Sequence, residues 1–238
     1  SSAALQVAML RALQKMFNLN FSDVEIAKLA QKAENEFVGV QCGLMDQMVI
    51  SVGKKKSALL FDIQSGKTEN FEFFKDINLI TIHSGVSRKL KENAYNDRRD
   101  SCQRASIDMK LNSLRDAKLS DLHKVNNDDD RIKAHHVITE NLRVSKCVNA
   151  LKENNAKLFG SIMYEGHESL SQDFCVSTEK MNRMVSFAKD FGALGARMTG
   201  AGFGGCIVVL AEHECSKKLV RELRNSISGT WVVSDMKF

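Results

Sequence analysis

The hydrophobic and polar positions of this chain follow a helical period at the beginning and a strand period further on. Up to about Val38, apolar residues recur every three or four positions, which predicts two amphipathic helices. Ser22, followed three residues later by Glu25, forms the pattern of a capping box and predicts where the second helix begins. We expect the first helix to bury one face, made of Leu5, Ala8, Met9, Ala12, Leu13, Met16 and Phe17. We expect the second to bury Val24, Ala27, Leu29, Ala30, Ala33 and Phe37.

Further along the chain, short apolar runs bounded by polar or glycine residues predict strands between helices. The predicted strands are 58–62, 71–74, 78–83, 196–199, 206–210 and 230–234. The predicted helices are Met45–Val52, 92–110, 130–152, Ala156–Gln172, 178–191 and 212–226. Helices and strands therefore interleave, which is typical of an α+β or mixed α/β protein.

Composition and charge exclude several classes of protein. The 238 residues are 43% apolar and 26% charged, as in an ordinary globular protein, and no apolar stretch approaches the ~20 residues of a membrane span. The net charge of +5 is spread among interleaved acids and bases, so we expect neither a nucleic-acid nor a membrane partner. The start of the chain resembles a capped helix rather than a signal peptide. Six scattered cysteines without a CxxC pair indicate reduced thiols in a cytoplasmic protein rather than a zinc site.

Two segments near the start carry candidate chemistry. Ser1 and Ser2 stand at a helix start, where backbone N–H groups can bind an anion and a hydroxyl can reach Mg²⁺, although ordinary capping explains most such pairs. Glu34 and Asp46 lie in otherwise apolar helical surroundings, and a buried carboxylate is costly without a cationic or metal partner. For Asp46, a helix N-cap is an equally good explanation.

A third segment, residues 198–206, reads Met-Thr-Gly-Ala-Gly-Phe-Gly-Gly-Cys. Four glycines between two predicted strands let the backbone approach a ligand closely. The run does not fit a dinucleotide-binding motif, because no acidic residue follows a second strand at the required distance. A tight connection between two strands is the simple alternative.

The order and spacing of these segments resemble those of the GHMP kinases and, within them, the galactokinases. Residues 1–8 are similar to the tail of the family's Gly-Leu-Ser-Ser-Ser-Ala phosphate loop, and residues 34–47 to the galactokinase active-site segment. Residues 95–102 match Tyr-Asn-x-Arg-Arg-x-x-Cys, and residues 197–206 the third family motif. Other residues stand at the family spacing, namely His136, Glu140, Arg143, His167, Leu170, Asp173 and Phe174. The resemblance covers essentially the whole chain.

The resemblance implies an α+β protein with the two-lobe GHMP kinase fold. Residues 1–73 would be the remainder of an N-terminal lobe related to the second domain of a ribosomal protein. Residues 74–238 would be a ferredoxin-like C-terminal lobe, with the active site between the two. The implied activity is ATP-dependent phosphorylation of galactose at its anomeric hydroxyl, giving galactose 1-phosphate, with ATP and Mg²⁺ as cofactors.

The resemblance also implies roles for the acidic and serine residues. Asp46 would be the catalytic carboxylate, and it would face the anomeric hydroxyl of the bound sugar. Ser1 and Glu34 would ligate Mg²⁺, for which hard oxygen donors are suited. Ser1 and Ser2 would also cradle the ATP phosphates at the helix N-terminus.

The remaining implied contacts lie in the second half of the chain. Tyr95 would bind a sugar hydroxyl, a role that its position on an amphipathic helix would not by itself suggest. Gly200 and Ala201 would pass close to the sugar, and Gly200 and Gly202 would pass close to the phosphates. The family usually has glycine where Ala201 stands, so its methyl group should tighten the sugar pocket.

Several features depart from the family pattern. Ser87, with Arg88 beside it, stands where a basic residue usually precedes the tyrosine motif, and Ser171-Gln172 replaces the usual Arg-Asp. Neither the family's N-terminal Arg-x-x-Glu-His-x-Asp-Tyr signature nor its adenine-binding segment occurs in the sequence. We therefore expect a missing N-terminal segment to complete the fold, and we expect this chain alone not to phosphorylate sugar. Galactose turnover at normal enzyme rates by the chain itself would contradict that expectation.

Three alternatives stay open at this point. The acceptor could be N-acetylgalactosamine, arabinose or galacturonate, because kinases for these sugars share the segment around Asp46. The protein could instead be a galactokinase-like sensor that binds sugar and ATP without turnover. Composition and periodicity alone would also allow an α+β binding module with no catalytic role.

Overall fold

A computed structural model describes residues 2–39, 42–87 and 92–238, with the backbone alone for residues 92–95. The chain divides into two compact units, Ser1–Phe73 and Phe74–Phe238, called unit 1 and unit 2 below. Among the described residues, no helix combines the length and the apolar character that crossing a membrane requires.

Unit 1 consists of three helices followed by a two-stranded antiparallel hairpin. Its elements are α1 (Ser2–Met16), α2 (Asp23–Ala33), a π-helical turn (Glu34–Val38), α3 (Met45–Val52), β1 (Ser57–Phe61) and β2 (Thr68–Glu72). The capping box predicted at Ser22 is confirmed, because its side chain accepts from the Glu25 N–H and the Glu25 carboxylate accepts from Ser22. The π-helical turn ends at Gly39, whose φ of 80° lies in the left-handed region that glycine tolerates best.

The buried face of α1 differs from the predicted one. All seven residues of the predicted face are exposed, and the helix instead buries Ala3 and Val7, with Leu10 packed beside the core. The helix carries apolar side chains on more than one face, so periodicity alone could not identify the face that meets α2. The face predicted for α2 is also partly wrong, because Ile26 is fully buried whereas Phe37 is 90% exposed.

Unit 2 is a four-stranded antiparallel sheet with long helices. Its elements are β3 (Ile77–His83), α4 (Glu92–Asp108), α5 (Asp128–Lys152), α6 (Ala156–Gln172), α7 (Glu179–Asp190), β4 (Gly195–Thr199), β5 (Cys206–Glu212), α8 (His213–Ser226) and β6 (Trp231–Lys237). Two 3₁₀ turns, Leu114–Asp116 and Leu119–Lys124, connect α4 to α5. The strand order β4-β5-β3-β6, with helices between β3 and β4 and between β5 and β6, is the ferredoxin-like βαββαβ pattern.

The main core of unit 2 lies between the sheet and α7 and α8. Alternate residues of β5, Ile207, Val209 and Ala211, point into it, as expected for a sheet with one face packed against helices. Met181 and Met184 of α7 are fully buried against them. The α+β fold class is confirmed, and most predicted elements lie within a few residues of the observed ones.

Candidate functional site

The start of α1 carries the predicted phosphate-binding serines. Ser1 lies outside the described residues, whereas Ser2 is the exposed first residue of α1. The first N–H groups of a helix have no partner within it, so this end attracts anions. Ser2 and Gln6 are four positions apart and therefore lie one above the other on the same side of the helix.

Glu34 is the buried carboxylate of unit 1. It opens the π-helical turn, is only 7% exposed, and accepts a hydrogen bond from Nε2 of Gln6. Because Gln6 is one turn from Ser2, this contact holds the Glu34 carboxylate close to the N-terminal end of α1. The contact thus links Glu34 to the turn of α1 that follows Ser2.

Asp46 lies in the first turn of α3 and, unlike Glu34, is exposed. Its neighbour Gln47 is buried and donates to the Cys42 sulfur, at 3.6 Å. Asn35, the neighbour of Glu34, accepts from the backbone N–H of Cys42 at 3.1 Å. The residues beside the two predicted carboxylates thus converge on Cys42, which fixes the start of α3 against the end of α2.

The oxygen atoms near Glu34 suit a hard cation such as Mg²⁺. Oε1 of Gln6 is buried and accepts no hydrogen bond within the described part of the chain. A buried oxygen without a hydrogen-bond partner is rare in folded proteins and indicates that a ligand can bind it. Amide and carboxylate oxygens are ligands that Mg²⁺ accepts. The described residues contain no group of three or more His, Cys, Asp or Glu side chains arranged as a metal cage. Mg²⁺ is usually held by one or two carboxylates together with substrate phosphates and waters, and the oxygens of Glu34 and Gln6 would fit such an ion.

In unit 2, the glycine-rich segment 200–205 connects β4 to β5. Gly200 and Ala201 are exposed, whereas Gly202 and the residues after it are buried. A Cβ on Gly202 would lie 2.5 Å from the Val176 carbonyl oxygen, and one on Gly204 would lie 2.6 Å from that of Val86. At these two positions the close approach that requires glycine is to the chain itself, so Gly200 and Ala201 form the accessible part of the loop.

Two side chains outside the loop hold the strand that leads into it. Nδ1 of His167 accepts from the Met198 N–H at 3.2 Å, and its Nε2 lies 3.1 Å from Oδ1 of Asn182. Arg197 pairs with Glu140 at 2.6 Å, and Glu140 also accepts from Arg143 at 2.7 Å. His167, Glu140 and Arg143 stand at the family spacing, and here they contact β4, or the Glu140 that pairs with it, next to the loop.

Burial determines the protonation of these supporting groups. It lowers the pKa of His136 and that of His167 to about 4, which keeps both rings neutral near pH 7. Burial would raise the pKa of Glu140, but the charge of Arg197 and the hydrogen bonds from Arg143 and Arg197 outweigh it and hold the pKa below its ordinary value. The neutral His167 ring can therefore accept from Met198 through Nδ1 and donate through Nε2.

Tyr95 lies in the first turn of α4, and only its backbone belongs to the described part of the chain. One turn later, Arg98 donates from Nε to the Phe174 carbonyl at 2.7 Å and from Nη2 to the Cys175 carbonyl at 3.5 Å. Arg98 thereby fixes the first half of α4 to the segment that follows α6. Ser87 is exposed, and Arg88 lies outside the described residues.

The residues that sequence reasoning missed are the supporting amides, Gln6 and Gln47. Their signal is weak, since each is one polar residue within an apolar helical pattern. For Gln6, the four-residue spacing from Ser2 is the feature that could have identified it. For Gln47, the only hint is its place directly after the predicted catalytic Asp46.

Family comparisons match both units. The GHMP kinases N terminal domain matches residues 1–54, and the GHMP kinases C terminal domain matches residues 147–228, so together they span more than half of the chain. A galactokinase of Clostridium beijerinckii is 36% identical across 94% of this chain. The chain spans 60% of the length of that galactokinase.

Comparison with solved structures gives the same result. Lactococcus lactis galactokinase complexed with galactose matches all of this chain and 67% of its own, with a TM-score of 0.89 and 28% identity. Mevalonate kinase of L. major in complex with R-mevalonate matches 99% of this chain and 65% of its own, with a TM-score of 0.70. At 22% identity, the latter match supports the fold alone.

Proposed function

This chain belongs to the GHMP kinase family, and we propose that the whole protein phosphorylates the anomeric hydroxyl of galactose with ATP. The observation that carries the proposal is the match to galactokinases, which extends over 94% of the chain in one relative and over all of it in a structure complexed with galactose. We further propose that units 1 and 2 correspond to the two lobes of the family, and that the protein acts in the cytoplasm. Its cysteines, which are all free thiols, agree with that compartment.

The different surroundings of Glu34 and Asp46 suit different tasks in phosphoryl transfer. Such a reaction asks a protein mainly to position the substrates and to neutralise charge. We assign Glu34 and Ser1 to Mg²⁺, which when bound would neutralise charge on the ATP phosphates, and we add Gln6 as the residue that orients Glu34. Ser2 and the N-terminus of α1 would bind the phosphates.

Asp46 is the proposed catalytic carboxylate. Its side chain is exposed, so it is free to meet a substrate hydroxyl, and the Cys42 contacts fix the start of its helix. Asp46 would accept the proton of the anomeric hydroxyl or stabilise the charge that develops as that oxygen attacks the γ-phosphorus. Either role requires the carboxylate within hydrogen-bonding distance of this hydroxyl.

The sugar contacts proposed for unit 2 are Tyr95, Gly200 and Ala201. Gly200 and Ala201 are the exposed residues of the glycine-rich loop, which supports a role in binding ligand. Gly202 is buried against Val176, so any contact with phosphate would come from its backbone N–H. The methyl group of Ala201 would narrow the sugar pocket.

The test is an ATP-coupled assay of the whole protein with galactose, comparing wild type with Asp46→Asn. We expect kcat to fall by about 10²–10⁴-fold, as for loss of a general base, while the ATP Kd measured by calorimetry changes less than about twofold. Asp190→Asn removes another exposed carboxylate, at the end of α7, and should leave kcat unchanged. A fully active Asp46→Asn enzyme would refute the assignment of this residue.

A panel of sugars tests the substrate. Galactose should give the highest kcat/KM. A higher value for N-acetylgalactosamine, arabinose or galacturonate would show that this other sugar is the substrate, and the protein would still be a sugar kinase. A whole protein that binds both galactose and ATP but turns neither over would be a sensor instead. Phosphorylation lost in Asp46→Asn with ATP binding retained would exclude that outcome.

A further inference from the structure

The glycine-rich loop and α4 both contact the short segment Phe174–Val176, which lies directly after α6. Cys175 has a φ of 55°, so the chain turns sharply here and its successive carbonyl groups face different partners. The segment is held to the end of α6 by the Phe174 N–H on the Ser169 carbonyl and the Val176 N–H on the Leu170 carbonyl, at 2.9 and 3.0 Å. These bonds attach the segment to the last turn of α6.

Two separate elements bind the three carbonyls of this segment. Arg98 of α4 donates to those of Phe174 and Cys175. The Phe203 N–H of the glycine-rich loop donates to that of Val176 at 2.6 Å. Gly202 lies so close to this carbonyl that a Cβ would be 2.5 Å from the oxygen. The segment is thus the common support of α4 and the loop.

Buried side chains of α5 keep this support rigid. Lys133 is 3% exposed, and its Nζ donates to the Asp173 carbonyl at 2.5 Å. The His136 ring stacks on Phe174 with centroids 4.5 Å apart. Because α5 and α6 fix the segment Phe174–Val176, an element that donates hydrogen bonds to its carbonyls is held in place as well.

Tyr95 stands three residues before Arg98 on α4, about 4.5 Å along the helix axis. The proposed function makes Tyr95 and Ala201 sugar contacts, and the inference drawn here rests on that proposal. We propose that Arg98 is a positioning residue for the sugar: it registers the first turn of α4 against the same carbonyl segment that holds the glycine-rich loop. The planar guanidinium, which donates from two nitrogens to two successive carbonyls, suits this task better than a lysine.

Kinetics of the whole protein test the proposal, with Arg98→Ala, Arg98→Lys and a control. We expect Arg98→Ala to raise the KM for galactose about tenfold, as for loss of charged hydrogen bonds, with the KM for ATP within about twofold of wild type. Arg98→Lys keeps the charge but cannot donate from two nitrogens of one planar group, so its KM for galactose should lie between those of wild type and Arg98→Ala. The control Arg224→Ala removes an exposed guanidinium from the last turn of α8 and should change neither KM. Equal increases in both KM values, or none in Arg98→Ala, would overturn the proposal.

Hydrogen exchange gives a readout that needs no substrate. The peptide 200–206 should exchange faster in Arg98→Ala than in wild type, because the support of the Phe203 N–H loosens, and Arg224→Ala should not change it. Unchanged exchange in Arg98→Ala would overturn the link between α4 and the loop. If the wild type phosphorylates no galactose, the proposed function fails and this exchange result alone decides the role of Arg98. If Arg98→Ala does not fold, Arg98→Lys carries both comparisons.

Discussion

Unit 1 and unit 2 hold their proposed site residues by different means. In unit 1, the buried apolar residues among those described are few, and half of them are alanines: Ala3, Val7, Ile26, Ala27, Ala30 and Met48. In unit 2, seventeen buried residues from the sheet and helices form one cluster, which includes Phe203 of the glycine-rich loop. Unit 2 can therefore position its loop by packing, whereas unit 1 depends more on side-chain hydrogen bonds.

Two of the polar contacts between elements of unit 1 illustrate this dependence. One lies at the proposed site, where Gln6 holds Glu34. In the other, Arg11 of α1 donates to the Asp23 carboxylate of α2 and to the Ser51 carbonyl of α3, both at 2.9 Å. The Arg11–Asp23 ion pair is exposed, and such pairs contribute little, so it defines the geometry of the helices more than it adds stability.

The largest predicted difference between the units is their response to acid. Every histidine of the sequence, from His83 onward, belongs to unit 2. Since the pKa of His136 and that of His167 are lowered to about 4, the unfolded chain binds protons below pH 6.5 that the folded chain does not. The free energy of unfolding should therefore fall between pH 6.5 and 4, by up to about 3 kcal/mol for each ring.

Trp231 is the only tryptophan of this chain and lies in unit 2, so its fluorescence during urea unfolding at a series of pH values measures this effect. His136→Asn and His167→Asn should each flatten the pH dependence between 6.5 and 5, and the exposed His123→Asn should not. In this window the lowered pKa of Glu140 contributes little, because its stabilising charge is lost only near and below its ordinary value of 4.5. Identical slopes for all three variants would contradict the assignment to the buried rings.

The next largest effect should come from the contact of α6 with β4. A Cβ on Gly160 would lie 2.1 Å from the backbone oxygen of Leu194, so Gly160→Ala must move the helix away from the strand. We expect a loss of about 3 kcal/mol in the free energy of unfolding, measured by urea denaturation.

In unit 1, Gly66→Ala is the control for this prediction. Gly66 has a φ of +72° but no atom within 4 Å of an added Cβ, so it tests backbone strain without a clash. It should cost about 1 kcal/mol. A Gly160→Ala loss no greater than that of Gly66→Ala would contradict the close contact between α6 and the start of β4.

Local signals are what made much of the fold predictable. Ser22 and Glu25 fix the start of α2 through side chains only three residues apart, and the bounds of α3 and α6 follow from apolar periodicity between breaks. The buried face of α1 could not be predicted in this way, because the choice between its apolar faces depends on which one meets α2. The π-helical turn at Glu34–Val38 could not be predicted either, because its residue types are equally compatible with an α-helix.

For the candidate site, motifs identified residues but not their partners. The contact of Arg98 with Phe174 spans 76 positions in sequence, and no pattern of residue types indicates which carbonyl a guanidinium will reach. The motifs also could not distinguish the glycines that leave the loop exposed from those packed against Val176 and Val86. That distinction depends on the path of segments far away in the sequence.

The smallest expected effect compares one helix cap in each unit. Ser22→Ala removes the cap of α2, and Thr178→Ala removes the cap of α7, where the threonine hydroxyl accepts from the Met181 N–H at 3.3 Å. Each should cost about 1 kcal/mol. Met181 and its apolar neighbours anchor α7 in the large core of unit 2, so the amides of α7 exchange only when a large part of that core opens. In contrast, α2 is anchored by Ile26 and two alanines. Hydrogen exchange should therefore accelerate more in α2 of Ser22→Ala than in α7 of Thr178→Ala, and equal acceleration would show that core size does not separate the two units.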